Sequence, residues 1–464
     1  MSAPPPLRIA VIGAGVTGLA AAHRVGELSP RAEVRLFERS DRVGGVLQTE
    51  SRDGFLIERS ADNFLTKTPH ATALCERIGL ADELIPTESA RRRAMVVRRG
   101  RLLGIPEGFV IMSPGAVWPI VATGILSPAG KARLMCEPLV PPRRDASDES
   151  VADFCRRRLG SEAFTRLVQP LVGGIYTADP ERLSMAATMP HLLQDEREHG
   201  GLWRAARGRK RQQSSGARYN LFMAPRGGMQ AITDRLRQRL PAGCLFTGSD
   251  IRALHRDRST GKWRIEGSEG GDFDAVIVAA PAPAAGEMLA GLDASLASEL
   301  RQIEYAGATI VCLGYERRLA ARPMDGFGFV VPHAERRPIL AASFASHKFP
   351  GRAPQDCELV RVFFGGALQP EMADRPDAEL IQIAREQLGE LIGLSGEPKT
   401  VEVARWGGAM PQYHVGHVER VDRILQHAAA WPGLYLAGAA YRGVGVPNCI
   451  ASGEAAAEAA CTQR

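Results

Sequence analysis

Short apolar runs and longer mixed segments alternate along this chain. Leu7–Ile12 is apolar save for Arg8, the pattern of a strand buried on both faces of a parallel sheet. A small-residue stretch, Leu19–Ala22, then predicts a helix, and Val34–Phe37 predicts a second strand ending at Glu38. Asp274–Ala280 reads DAVIVAA and stops at Pro281, another buried strand. Further strands are expected at Leu221–Met223, Leu245–Thr247, Ile251–Leu254, Trp263–Glu266 and Leu434–Ala437. Thr309–Tyr315, Gly326–Pro332 and Leu359–Phe364 suggest a separate sheet. Residues 148–205 read as helical, with Ser147 and Ser150 as caps and Val151, Phe154 and Leu159 as an apolar stripe. Other helices are expected at Met229–Leu240, Ala378–Ile392 and Ser452–Ala460. Residues 207–217 read as an exposed loop open to proteolysis.

The turn after the first strand carries the first chemistry. Gly13, Gly15 and Gly18 enclose Ala14, Val16 and Thr17 at G-x-G-x-x-G spacing. Gly13 permits the tight turn, Gly15 lets a pyrophosphate approach the backbone, and Gly18 lets helix and strand pack closely. The helix N-terminus offers amides and a positive dipole end to phosphates. Glu38 stands 20 residues beyond Gly18 and can accept hydrogen bonds from ribose hydroxyls. Asp41–Gly45 reads DRVGG, where Gly44 and Gly45 allow a second backbone approach and Arg42 offers charge to a pyrophosphate. Near the C-terminus, GLYLAGAAYRGVGVPNCIASGEAAAEAA repeats the strand–glycine–helix logic, with Gly443, Gly445 and a helix from about Ile450. Two such turns at opposite chain ends favour one dinucleotide lying across a discontinuous domain.

Composition narrows the class. With 464 residues, 45% hydrophobic and 24% charged, the chain is a globular protein of two or three domains. No run of eighteen apolar residues occurs. MSAPPPLR leads straight into the first strand, leaving no room for a signal peptide. Eight scattered cysteines without a C-x-x-C point to reduced thiols in a cytoplasm, and ten histidines without ligand spacing point to no metal. The net charge of +6 comes with arginine clusters at 91–93, 98–101, 143–144, 156–158 and 204–211. Without a nucleic-acid motif, such a basic face suits an anionic membrane or an acidic substrate. Residues 104–145 are apolar and broken by Pro and Gly. Phe109, Val110, Ile111, Met112, Val117, Trp118 and Ile120 there suit either an interfacial membrane contact or a buried lid.

The motifs together resemble the oxygen-dependent protoporphyrinogen and coproporphyrinogen oxidases of haem synthesis, within the flavin amine oxidase superfamily. The likeness rests on GAGVTG with Glu38 and RVGG, ERSADNF at 58–64, IPEG, VGGIYTADPERLS at 172–184, GFGFVVP, PQYHVGH at 411–417 and AYRGVGVPNCI at 440–450. Ser60–Ala61 stands where relatives carry Gly-Pro. The resemblance implies an α/β fold. A Rossmann-like FAD-binding domain of the p-hydroxybenzoate hydroxylase-like type would comprise residues 1–90, 215–295 and 430–464. A helical, membrane-contacting lid would occupy 91–214 and a mixed-sheet substrate domain 296–429. It places FAD against Gly13–Gly18, Glu38, Arg39, Val46, Ser60, Ala61, Asp62, Asn63, Ile251, Trp406, Val444, Gly445 and Val446. Gly174 and Ile175 fall where relatives line the porphyrinogen pocket, and Arg93 where some bind a propionate. Ala409 replaces the cysteine that tethers FAD in some amine oxidases, so the cofactor is expected to be non-covalent.

The reaction implied is a six-electron porphyrinogen oxidation. With no second G-x-G-x-x-G for NAD(P), oxygen is the expected acceptor, and no single catalytic base stands out. A hand-off of product to a ferrochelatase and a cytoplasmic location, peripheral on the membrane, follow from the same likeness. The rival readings are a flavin amine oxidase, a polyene desaturase and a non-catalytic nucleotide-binding protein. The IPEGFVIMSPG run and the arginine excess favour coproporphyrinogen III over protoporphyrinogen IX.

Overall fold

The structure, a computed structural model, describes residues 5–462 except 110, 114, 115, 146, 213–221, 268–270 and 323. Its centre is a five-stranded, all-parallel sheet in the order Leu245–Phe246, Glu33–Phe37, Arg8–Ile12, Ala275–Val278, Leu434–Leu436. The middle strand is apolar on both sides because both faces are covered. Ile9 and Val11 pack into one core with the helices Val16–Leu28 and Val446–Thr462, while Ala10 and Ile12 pack into another with Leu254, Trp263 and Val421. First and last strands of the chain meet in one sheet through Ala275–Val278, so the unit built on this sheet is assembled from distant stretches of sequence.

Glycine sets how closely the covering helices lie. A Cβ on Gly18 would sit 1.8 Å from the Gly13 carbonyl oxygen, and one on Gly453 2.2 Å from that of Thr17. The terminal helix therefore crosses the first helix at backbone contact. It begins at Val446 rather than near Ile450, because Pro447 is tolerated in a first helical turn.

A second, seven-stranded mixed sheet has the order Thr400–Pro411, Tyr305–Glu316, Cys357–Gly365, Ala341–Phe344, Gly328–Val330, Ala94–Arg98, Arg101–Gly104. All neighbours are antiparallel except Gly328–Val330 with Ala94–Arg98. The sequence pattern does not announce the strand at Thr400–Pro411, whose glycine pair and alternating charges obscure it, nor the hairpin at 94–104. That hairpin, at the head of the segment assigned to the helical unit, is part of this sheet.

Residues 117–212 form a helical unit: Val117–Ala122, Pro128–Met135, Val151–Leu159, the continuous run 161–176, Met185–Thr188, Pro190–His199 and Leu202–Gln212. Ser150 caps its helix by accepting the Asp153 amide at 3.0 Å, while Ser147 instead bonds Asp145. Residues 207–212, read as loop, close the last helix, as their arginine, lysine and glutamine content allows. Residues 213–217 of that loop and Leu221 lie outside the described residues.

The apolar segment divides. Phe109, Met112, Ile120, Ile125 and Leu126 are buried in the unit's core, whereas Val117, Trp118 and Val121 face solvent, Trp118 at 75% exposure. Val110 lies outside the described residues. Among those described, no helix is long and apolar enough to cross a membrane, and no three His, Cys, Asp or Glu side chains converge to hold a metal.

The arginine cluster at 156–158 is not an open basic face. Arg156 pairs with Glu181, and Arg157 reaches Glu149 at 2.7 Å and Glu196. Arg158 is wholly buried against Glu137 and lies 3.3 Å from Glu196.

Candidate cofactor and substrate site

The parallel sheet ends in the glycine turn. Gly13 adopts φ +98° and donates its amide to the Phe37 carbonyl at 2.7 Å, which binds the turn to the neighbouring strand. Gly15 precedes the helix Val16–Leu28, which has neither a side-chain cap nor an acidic residue in its first turn. Its first amides and dipole end therefore face outward without a competing carboxylate. A Cβ on Gly15 would meet nothing nearer than Gly45 Cα at 3.9 Å, so that face of the turn is open. Glu38 lies across the mouth. One carboxylate oxygen accepts the Ala14 amide at 2.8 Å and the other the Ser40 amide at 3.0 Å. Val16 and Thr17 form the first helical turn, and Arg39 points to solvent.

The second glycine pair packs against the first. The Gly44 amide donates to the Ala14 carbonyl at 2.8 Å, and a Cβ on Gly45 would lie 3.1 Å from Gly15 Cα. Arg42 turns inward onto its own loop, donating to the Val43 carbonyl at 2.9 Å and to that of Gly45. In this arrangement its role is to brace the loop. Val46 is exposed, and its carbonyl accepts the Ser60 hydroxyl. The segment Ser60–Asn63 is thus tied to the glycine loop through Ser60. Trp406 reaches the same place from the mixed sheet and donates Nε1–H to the Arg59 carbonyl. Ile251 is buried two residues beyond Ser249, whose amide donates to the Glu38 carbonyl at 2.9 Å. An anion-ready helix end, a carboxylate at the mouth of the turn and a two-loop glycine cradle fit a dinucleotide.

The C-terminal pole is built by residues that the motif reading quoted without assigning a role. Gly443, at φ +117°, donates its amide to the Tyr413 hydroxyl at 2.8 Å, and that hydroxyl donates to the Ala439 carbonyl. The Tyr413 ring stacks on His417 with centroids 3.9 Å apart. His417 Nε2 lies 3.0 Å from the Tyr441 carbonyl. Burial pushes His417 down to about 4, so it is neutral at pH 7 and Nε2 must carry the proton to donate there. The PQYHVGH segment therefore fixes the turn from which Val444, Gly445 and Val446 open the last helix. The signal was the motif itself; what it braces was invisible without the fold.

Gly174 and Ile175 lie at the exposed end of Gln169–Tyr176, where Thr177 closes the helix in the left-handed region. A Cβ on Gly174 would sit 3.7 Å from the Val330 side chain. Val330 pairs with Val96 in the mixed sheet, and Arg93 stands three residues before Val96. Arg93 is 75% exposed, with Asp325 at 3.4 Å.

Known proteins resemble this chain in sequence and in fold. Residues 16–461 match the family model described as flavin containing amine oxidoreductase. The chain is 33% identical to the coproporphyrinogen III oxidase of Bacillus subtilis (strain 168), over 98% of each protein. It is 29% identical to protoporphyrinogen oxidase 2, chloroplastic/mitochondrial, of Arabidopsis thaliana, over 97% of this chain and 93% of that one. A crystal structure of an Exiguobacterium sp. 255-15 protein, provisionally named a protoporphyrinogen oxidase, superposes with TM-score 0.88 at 28% identity over the whole of both chains. Cyclohexylamine oxidase from Brevibacterium oxydans IH-35A, at 16% identity and TM-score 0.70 over 98% of this chain and 99% of that one, shares the fold. The chain belongs to the flavin-containing amine oxidoreductase family and is a flavin-dependent oxidoreductase.

Proposed function

We propose that this protein oxidises a porphyrinogen to the corresponding porphyrin, with coproporphyrinogen III as substrate. The end-to-end likeness to a coproporphyrinogen III oxidase carries the reading, at 33% identity over 98% of both chains. The glycine cradle and the last helix would hold FAD, non-covalently because Ala409 offers no thiol, and the cofactor would supply the redox chemistry of a six-electron oxidation with oxygen as the terminal acceptor.

The protein's own contribution is placement. The Val16–Leu28 helix end and the Gly15 face receive the pyrophosphate, and Glu38 receives the ribose. The turn at Gly443, pinned by Tyr413, aims the last helix at the flavin end. Gly174 and Ile175 line the macrocycle's side, where the Gly174 carbonyl can accept pyrrole N–H groups. Arg93 offers its guanidinium to a propionate, a bidentate contact that lysine does not reproduce. Val117, Trp118 and Val121 supply a small apolar face for a peripheral membrane contact.

Turnover of coproporphyrinogen III and protoporphyrinogen IX in parallel, followed by porphyrin fluorescence, tests this. The tetra-acid should show the higher kcat/KM, and its tetramethyl ester should lose most of that advantage. Equal turnover of acid and ester removes Arg93 from recognition. Absence of porphyrin from both substrates, with amine turnover instead, refutes the reading.

A further inference from the structure

Beneath the Ser60–Asn63 segment lies a charged cluster that neither the glycine cradle nor the substrate helix uses. Arg361, on the Cys357–Gly365 strand of the mixed sheet, is 2% exposed. Its Nη1 lies 3.1 Å from Asp62 Oδ2, and its Nη2 donates to the Ser60 carbonyl. Lys348, at the end of the short helix Ala345–Lys348, donates to the same Asp62 oxygen at 2.7 Å. The other Asp62 oxygen accepts from the Asn63 side chain. Two cations of the substrate half thus grip one carboxylate and one carbonyl of a single loop.

The grip continues into the cradle. Ser60 donates its hydroxyl to the Val46 carbonyl, and Gly44, two residues earlier, donates its amide to Ala14 in the dinucleotide turn. A bonded path therefore runs from the mixed sheet through Ser60 and Val46 to the loop that faces Gly15. Burial alone would raise the Asp62 carboxyl; Lys348 first and then Arg361 hold it far below the usual range, so it is ionised throughout the working pH range. Removing either cation leaves charge on that buried carboxylate poorly compensated, and the loop that carries it must shift to recover solvent or a new partner.

We propose that Lys348 and Arg361 are positioning residues that clamp the Ser60–Asn63 segment from the substrate side and thereby set FAD affinity. The inference rests on the reading that this segment touches FAD. It makes the substrate half of the protein a determinant of cofactor retention, although neither residue belongs to a dinucleotide motif.

The test measures the FAD dissociation constant of the full-length holoenzyme by equilibrium dialysis, with the visible flavin spectrum of the bound fraction. Lys348→Met should weaken FAD binding about tenfold and blur the vibrational fine structure of the flavin band. The double variant Asp62→Asn/Lys348→Met, which leaves no lone buried carboxylate, should bind FAD more tightly than Lys348→Met alone. Arg361→Lys should bind FAD better than Arg361→Gln, since it keeps a cation for Asp62. Unchanged FAD affinity and spectrum in Lys348→Met and Arg361→Gln overturns the proposal. So does a double variant that binds FAD no better than Lys348→Met alone, which would mean that Asp62 and Lys348 act separately. Gly15→Val is the control for the underlying site: a side chain there fills the open face and should abolish FAD binding. Normal FAD binding by Gly15→Val refutes the cofactor reading itself, whereas its loss beside unaffected Lys348 and Arg361 variants refutes only the clamp.

Discussion

Two buried ion networks in this molecule are chemically alike and differ in what they join. In the helical unit, Arg158 and Glu137 are both fully buried, and Glu137 also accepts the amides of Leu202 and Trp203, at 2.9 and 3.2 Å. Every partner lies between residues 137 and 203, so the network closes one unit upon itself. Under the Ser60–Asn63 loop, Asp62 and Glu58 face Lys348, Arg361 and Arg352, residues almost three hundred positions away. That network ties the mixed sheet to the loop beside the glycine turns. A buried ion pair adds little net stability over an apolar substitute, yet removing one partner is costly. The two networks should therefore separate cleanly, the first affecting folding and the second cofactor affinity.

Arg158→Met should break the first network with the largest effect. It strands buried carboxylates and should cost about 3–5 kcal/mol by urea denaturation, with normal flavin content in the protein that remains folded. Arg158→Met/Glu137→Gln removes the stranded charge and keeps an acceptor for one of the two amides, so it should recover part of that loss. A single variant as stable as the parent would show that the pair contributes nothing to the unit.

The next effect sharpens the contrast by pH. His417 has a folded value of about 4 against about 6.5 unfolded, because burial disfavours its charged form. The unfolded chain then binds the extra proton first. The His417 contribution to stability should be complete above about pH 6.5 and fall as pH drops toward 4, by about 3 kcal/mol in all. Unfolding midpoints between about pH 7.5 and 4 should show this slope, and His417→Asn should flatten it. An unchanged slope in that variant assigns the acid sensitivity to another group.

The smallest effect concerns the outer face of the helical unit. Trp118→Asp should change stability by less than about 0.5 kcal/mol, since the ring is 75% exposed. It should nevertheless reduce flotation with anionic liposomes. Flotation equal to the parent would leave the unit a scaffold with no membrane role.

The arginine runs show where the sequence stops being legible. Arg91–Arg93 and Arg156–Arg158 read alike as basic clusters, yet Arg93 stands in solvent and Arg158 is buried with two carboxylates. Their partners, Asp325 for one and Glu137 and Glu196 for the other, are remote in the chain, and no local pattern names them. Arg42 is a similar case. Its place beside Gly44 suggested a phosphate, and the loop's own carbonyls take its hydrogen bonds. Tyr413 and His417 were visible as a motif, but their task of fixing Gly443 follows from a contact across 30 residues.

What the sequence determined by itself was the parallel sheet with its glycine turn. Tight glycine turns, buried parallel strands and the helix after them are set by local backbone conformation and by an apolar pattern that holds over a few residues. Gly13, Gly15, Gly18 and Glu38 therefore declare their positions without knowledge of the rest. Only the tertiary structure decided which charges are buried, which loop they grip and which strands from residues 94–104 and 400–411 join the mixed sheet. Those outcomes depend on desolvation and on pairing between distant segments, and both are properties of the packed molecule rather than of any stretch of it.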